Sequence, residues 1–126
     1  MTDAVVHFEI IGTDPVRLRE YYGELFGWEY EVGDTVSGQV SEPGNYGFVD
    51  GSTTGAPGLN GGVGGGPGLQ PKALFYVGVD DVGAALDRAE ELGGRRVFGP
   101  DGVPGKLVVG QFTDPEGNLV GVAGPK

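Results

Sequence analysis

Residues 5–28 read Val5-Val6-His7-Phe8-Glu9-Ile10-Ile11-Gly12-Thr13-Asp14-Pro15-Val16-Arg17-Leu18-Arg19-Glu20-Tyr21-Tyr22-Gly23-Glu24-Leu25-Phe26-Gly27-Trp28. The first seven alternate with period two, which predicts a strand with Val6, Phe8 and Ile10 on one face and His7 and Glu9 on the other. Asp14 followed by Pro15 is the start signal of a helix: an acceptor side chain at the cap, then a residue that needs no N–H donor. Leu18, Tyr21, Tyr22, Leu25 and Phe26 recur at helical spacing and predict one buried stripe. Gly27 ends the helix as a left-handed cap, and Gly23 within it costs about 1 kcal/mol relative to alanine. Trp28–Val32 then opens a second strand.

The same reading returns 67 residues later. Phe8 falls on Phe75, Asp14 on Asp81, Leu25 on Leu92 and Gly27 on Gly94, with no gap between them. Ala73–Val79 is the matching strand, with Phe75 and Val77 toward the helix and Leu74 and Tyr76 on the face of His7 and Glu9. Asp80 or Asp81 caps a helix that turns Val82, Ala85, Leu86, Ala89 and Leu92 inward, and Gly93 stops it. Arg95–Phe98 is a strand, residues 99–105 a turn-rich loop, and Lys106–Thr113 and Leu119–Ala123 a hairpin across Asp114–Asn118. In the first copy, shorter strands are expected at Ser37–Val40, Tyr46–Val49 and Leu59–Val63. Each copy is a βαβββ unit too short to bury a core alone. The expected class is α+β: one domain over residues 1–126, with a first module at 4–66, a second at 72–126 and curled sheets around a cleft. Residues 51–68 hold nine glycines and two prolines and form a joint, not a phosphate loop, since no Gly-Lys-Ser/Thr follows.

Composition narrows the function. The 126 residues carry 8 Lys plus Arg against 18 Asp plus Glu, a formal charge of −10. That disfavours nucleic acid and anionic membranes and suits a cationic or aromatic small molecule. There is no cysteine, which removes disulfides and thiolate metal sites. The opening residues lack a signal-peptide pattern and no stretch approaches a membrane span, so the expected location is cytoplasmic. An open sheet edge is best covered by a partner, so a homodimer is expected.

Three segments carry a resemblance. Phe8–Ile11 leads into Asp14-Pro15. The run from Glu20 to Trp28 holds an aromatic pair followed by Leu-Phe-Gly-Trp. Phe112-Thr113-Asp114-Pro115-Glu116-Gly117-Asn118 closes the chain's last hairpin. Together they resemble the vicinal oxygen chelate superfamily of glyoxalases, bleomycin-resistance proteins and extradiol dioxygenases. The resemblance implies four metal-ligand positions, two per module, usually filled by His, Gln or Glu. Here they fall on His7, on Gly61 or Gly62, on Leu74 and near Gly121. Only His7 bears a donor, whereas a divalent ion ordinarily takes at least three protein ligands. The expectation is therefore a member with no metal and no other cofactor, binding a small organic molecule in the cleft between modules. The alternative is a metal-independent isomerase, lyase or cyclase with His7 as acid/base; a metal-dependent lyase or dioxygenase ranks last. A lone histidine is more often a hydrogen-bonded cavity residue, and His-x-Glu on a strand is a weak motif. With that weighting, His7 and Glu9 are the candidate catalytic pair. His7, Glu9, Trp28, Tyr46, Phe48, Tyr76 and Phe112 are the candidate ligand-binding residues.

Overall fold

A computed structural model describes residues 2–34, 37–53 and 58–126. Residues 54–57 of the glycine-rich joint lie outside the described residues. The chain divides into two compact units, one of residues 7–73 and one of residues 2–6 with 74–126.

The elements of the first are β1 (Val5–Gly12), α1 (Pro15–Phe26), β2 (Glu31–Gly33), β3 (Tyr46–Val49) and β4 (Asn60–Gly65), with one 3₁₀ turn at Gly51–Thr53. Its strands lie in the order β2-β3-β4-β1; β1 and β4 are parallel and the other pairs antiparallel. The second has β5 (Lys72–Gly78), α2 (Val82–Glu91), β6 (Arg95–Val103), β7 (Leu107–Thr113) and β8 (Leu119–Gly124). Its order is β5-β8-β7-β6, again with the first and last strands parallel. The duplicated sequence thus folds as two copies of one βαβββ topology, and the α+β expectation holds.

The helix starts follow from their caps. Asp14 Oδ1 accepts from Arg17 N at 3.2 Å, and Asp81 Oδ1 from Ala84 N at 3.0 Å, so Asp81 rather than Asp80 is the second cap. Gly27 closes α1 at φ 74°, its N–H donating to Gly23 O at 2.8 Å. In the second unit Val82, Leu86, Val108 and Val122 form the core, with Val79, Ala85 and Phe112 packed on it. In the first, Val49 and Val63 are buried on the strands.

Four expectations are corrected. Ser37–Val40 is a turn: Ser37 Oγ accepts from Gln39 N at 3.1 Å and Ser37 O from Val40 N at 3.1 Å, a local alternative that competes with strand pairing. β2 begins at Glu31, because Trp28 packs among Phe8, Tyr22 and Phe26 at 5.2–5.5 Å between ring centroids. The loop expected at 99–105 is largely strand. β6 runs to Val103 and absorbs Gly99-Pro100 through register shifts between Arg96, Phe98 and Asp101. Finally, the helical stripes are only partly covered. Tyr21, Leu25, Phe26 and Leu92 are exposed, whereas Val82 and Leu86 are fully buried. Spacing marks which residues share a helix face, but burial also needs apolar side chains opposite.

Candidate functional site

Strand alternation places the site. β1 pairs His7 with Asn60 and Glu9 with Gly62, and β3 pairs Phe48 with Gly62. Paired residues point to the same side of a sheet, so His7, Glu9, Tyr46, Phe48, Asn60 and Gly62 share one face. Phe8, Gly61, Val63 and Gly47 share the other, the face covered by α1. A Cβ on Gly61 would run into the Phe8 ring, which confirms their common side.

On the helix-free face three polar groups form a chain. Tyr46 Oη donates to Glu9 Oε1 at 2.8 Å, and His7 Nε2 lies 2.9 Å from Tyr46 Oη. The hydroxyl has one proton and spends it on the carboxylate, so in this arrangement His7 Nε2–H is the donor to Tyr46. A neutral His7 then carries its lone pair on Nδ1. Glu9 and Tyr46 are buried, and His7 is half-buried. Burial lowers the His7 pKa from its ordinary 6.5, since water no longer solvates the imidazolium. Phe48 stands beside Tyr46, ring centroids 4.8 Å apart, and keeps 41% of its surface exposed. It offers an apolar surface next to a buried polar chain.

The second unit builds a simpler version from the matching strand. Tyr76 is buried on the face opposite α2, and its hydroxyl accepts from Gln111 Nε2 at 2.8 Å. Tyr76, Gly121 and Gln111 stand in register across β5, β8 and β7.

Two glycines make these tyrosines possible. A Cβ on Gly62 would enter the Tyr46 ring, and a Cβ on Gly121 the Tyr76 ring. Each aromatic ring lies over a strand where any other residue would project a side chain. Gly64 allows a further close approach, to Ser41 Oγ and the other edge of Tyr46. Ser41 Oγ accepts from Gly65 N at 2.9 Å, pinning the 37–42 turn over that end of the face.

Of the residues read from sequence, His7, Glu9, Tyr46 and Phe48 come together in one cluster. Tyr76 belongs to the second polar pair. Trp28 and Phe112 lie elsewhere: Trp28 is in the aromatic packing around α1, and Phe112 packs on the Val82–Leu86 core behind α2. Gln111 was missed. Its signal was legible in Leu107-Val108-Val109-Gly110-Gln111-Phe112-Thr113, where a lone amide interrupts an apolar strand in phase opposite to Phe112.

A paired βαβββ topology with polar side chains gathered on the helix-free strand faces defines the class. The chain belongs to the Glyoxalase/Bleomycin resistance protein/Dioxygenase superfamily, whose family model matches residues 4–122. Similar solved structures share the fold at low identity. A Streptomyces coelicolor methylmalonyl-CoA epimerase variant in complex with 2-nitronate-propionyl-CoA is 14% identical, with a TM-score of 0.67 over 98% of this chain and 95% of that one. Methylmalonyl-CoA epimerase from Mycobacterium tuberculosis is 16% identical, with a TM-score of 0.60 over 97% and 87%. The hypothetical protein BH1468 from Bacillus halodurans C-125 is 15% identical, with a TM-score of 0.63 over 100% and 96%. A comparison with curated proteins finds no match. No helix among the described residues is long and apolar enough to cross a membrane.

The chelated metal that the superfamily implies does not fit the residues present. Leu74 is buried and has no donor atom, while the space above Gly62 and Gly121 is taken by tyrosine rings. Among the described residues no three His, Asp or Glu side chains stand close enough to hold an ion.

Proposed function

We propose that this chain binds a small organic molecule on the helix-free face of its first unit, through His7, Glu9, Tyr46 and Phe48, without a chelated metal. The observation that supports this reading is the juxtaposition of an exposed Phe48 ring with the His7–Tyr46–Glu9 hydrogen-bonded chain. Ligand sites combine apolar area with a few fixed polar groups, and this face supplies both. An aromatic ligand stacks on Phe48, and a cationic one also gains from the acidic chain. The test is calorimetric titration with aromatic ammonium compounds, aromatic aldehydes and acyl-CoA thioesters in the presence of chelator. One class binds one-to-one, and His7→Ala and Phe48→Ser each weaken it at least ~10-fold. Failure of all three classes, or binding indifferent to both variants, sinks the reading.

A second reading, metal-independent acid/base chemistry on a carbonyl compound, is favoured by the order of the polar chain. A lowered pKa keeps His7 neutral near pH 7 and able to take a proton at Nδ1. As the imidazolium forms, its Nε2–H bond to Tyr46, backed by the Glu9 carboxylate, steadies the new charge. The solved epimerases named above act on methylmalonyl-CoA, so acyl-CoA thioesters are a natural first panel. Solvent deuterium enters the carbon next to the carbonyl with chelator present, and His7→Ala slows entry at least ~100-fold. Exchange that stops on adding chelator, or persists in His7→Ala, refutes it.

A further inference from the structure

Each unit has a groove beside its helix, and the repeat relates the two. In the first unit Ile10, Leu18, Tyr21 and Tyr22 line a groove of about 660 Å³ between α1, the end of β1 and the first residues of β5, all within residues 7–73. The positions 67 residues on, Val77, Ala85, Arg88 and Ala89, line a groove of about 430 Å³ beside α2. The fold therefore makes the groove twice, but the two linings differ in kind. Beside α2, alanines stand in place of Leu18 and Tyr22. The charged side chains there are Asp3, Asp114 and Arg88, and Arg88 pairs with Glu91 at 3.3 Å. Beside α1, Arg17 and Lys72 stand on the lining and form no ion pair among the described residues. Tyr21 and Tyr22 meet edge to face, ring centroids 5.1 Å apart at 87°. Tyr22 stacks on Trp28 at 5.5 Å, which holds its ring, and Tyr21 is 59% exposed.

We propose that the groove beside α1 is a second binding site, for an aromatic monocarboxylate. The two tyrosines form a corner in which a flat ring stacks on one and meets the edge of the other, and Ile10 and Leu18 give it an apolar floor. Arg17 lies one helical turn before Tyr21, about 6 Å along the axis. A carboxylate on a short arm reaches it while the ring stays in the corner. Lys72 faces it from β5, so two charge-assisted hydrogen bonds bracket the anion. Asp14, also on the lining, already accepts from Arg17 N, and two cations against one carboxylate leave the lining with one positive charge in excess. That excess suits a single negative charge and not a dianion. A neutral arene leaves both cations unpaired, and an ammonium group is repelled by them. The net charge of −10 does not reverse this preference. The excess carboxylates outside the groove act through water and are screened over about 10 Å at 0.1 M salt, whereas Arg17 and Lys72 touch the ligand. A small monoanion also meets that diffuse field with one charge, where an acidic macromolecule meets it with many. The inference is independent of the ligand reading, because α1 lies on the opposite side of the sheet from His7.

Titration with phenylacetate, followed by backbone amide chemical shifts, tests it. Phenylacetamide and phenethylamine serve as neutral and cationic counterparts of similar shape. Phenylacetate saturates with a dissociation constant below about 1 mM, the amide binds at least ~10-fold more weakly, and the amine does not bind. The shifts fall on residues 10–22 and 72–73. Arg17→Gln and Lys72→Gln each weaken binding at least ~5-fold, and Tyr21→Ala at least ~10-fold. Arg88→Gln beside α2 and His7→Ala on the other face of the sheet leave it unchanged. Far-ultraviolet circular dichroism confirms that each variant is folded. No saturation by about 10 mM, an amide or amine that binds as tightly as the acid, shifts clustered on His7, Tyr46 and Phe48, or binding indifferent to the Arg17 and Lys72 variants overturns the proposal.

Discussion

Gly62 is the residue on which the geometry of the candidate site depends. Its backbone is not in the left-handed region, so the requirement is for space alone, and Tyr46 occupies that space. Gly62→Ala forces the ring aside and stretches the hydroxyl's bonds to Glu9 and His7. Overpacking of this kind costs about 1–3 kcal/mol. Urea unfolding of Gly62→Ala is expected to show that loss, and Gly121→Ala a similar one through Tyr76. Gly38→Ala, where an added Cβ meets nothing, serves as the control. A neutral Gly62→Ala would mean the tyrosine is not seated there. His7 makes a second prediction, on pH. Its folded pKa is lowered by burial, so the unfolded state binds more protons, and stability rises with pH across the transition. That contribution is present above the ordinary value of 6.5 and is lost as pH falls through the folded value. Melting curves between about pH 7.5 and about pH 5.5 are expected to show wild type weakening on acidification. His7→Gln keeps a hydrogen-bonding side chain without the titration and is expected to flatten that slope. A slope of opposite sign would mean that the imidazolium is the favoured form.

At the scale of elements, each helix begins on an aspartate whose side chain satisfies a backbone N–H of the first turn. Asp14→Ala and Asp81→Ala are each expected to lower stability by about 1 kcal/mol, whereas glycine at either position costs only a few tenths. Alanine variants as stable as wild type would show that the bond does not contribute. These caps were legible because capping is local: an acceptor, a proline or small residue and an amphipathic run lie within a few positions of one another. Period-two alternation was equally legible in β1 and β5, and it put His7, Glu9 and Tyr76 on the correct face. What escaped was contingent on distant packing. The length of β2 depends on where Trp28 finds its aromatic neighbours, and the course of β6 depends on bulges that accommodate Gly99-Pro100. The glycines at 61, 62 and 121 read as a flexible joint and an empty ligand position. Their actual role, making room for rings from neighbouring strands, appears only once the strands are in register. Residue type alone points to Trp28 and Phe112 as cleft aromatics; β7 is in a phase that turns Phe112 toward α2 and Gln111 the other way.

The whole molecule is dominated by its charge imbalance. Eighteen acidic residues against eight basic ones leave a net −10 on a chain of 126 residues. The ion pairs among the described residues are the Arg88–Glu91 pair and the bonds of Arg96 to Asp87 and Glu90, and all three acids are about half exposed or more. Pairs of that kind contribute little and are themselves screened by salt. Diffuse repulsion among the excess carboxylates therefore outweighs local attraction, and it too is screened, over a distance of about 10 Å at 0.1 M salt. The two effects have opposite signs: screening repulsion raises stability, and screening pairs lowers it. The imbalance favours the first, so the melting temperature is expected to rise by a few degrees between about 20 mM and about 0.5 M sodium chloride. Melting measured at low protein concentration keeps any self-association out of this comparison. A melting temperature that falls with salt under those conditions would show that specific ion pairs, not net charge, set the electrostatic contribution to this fold.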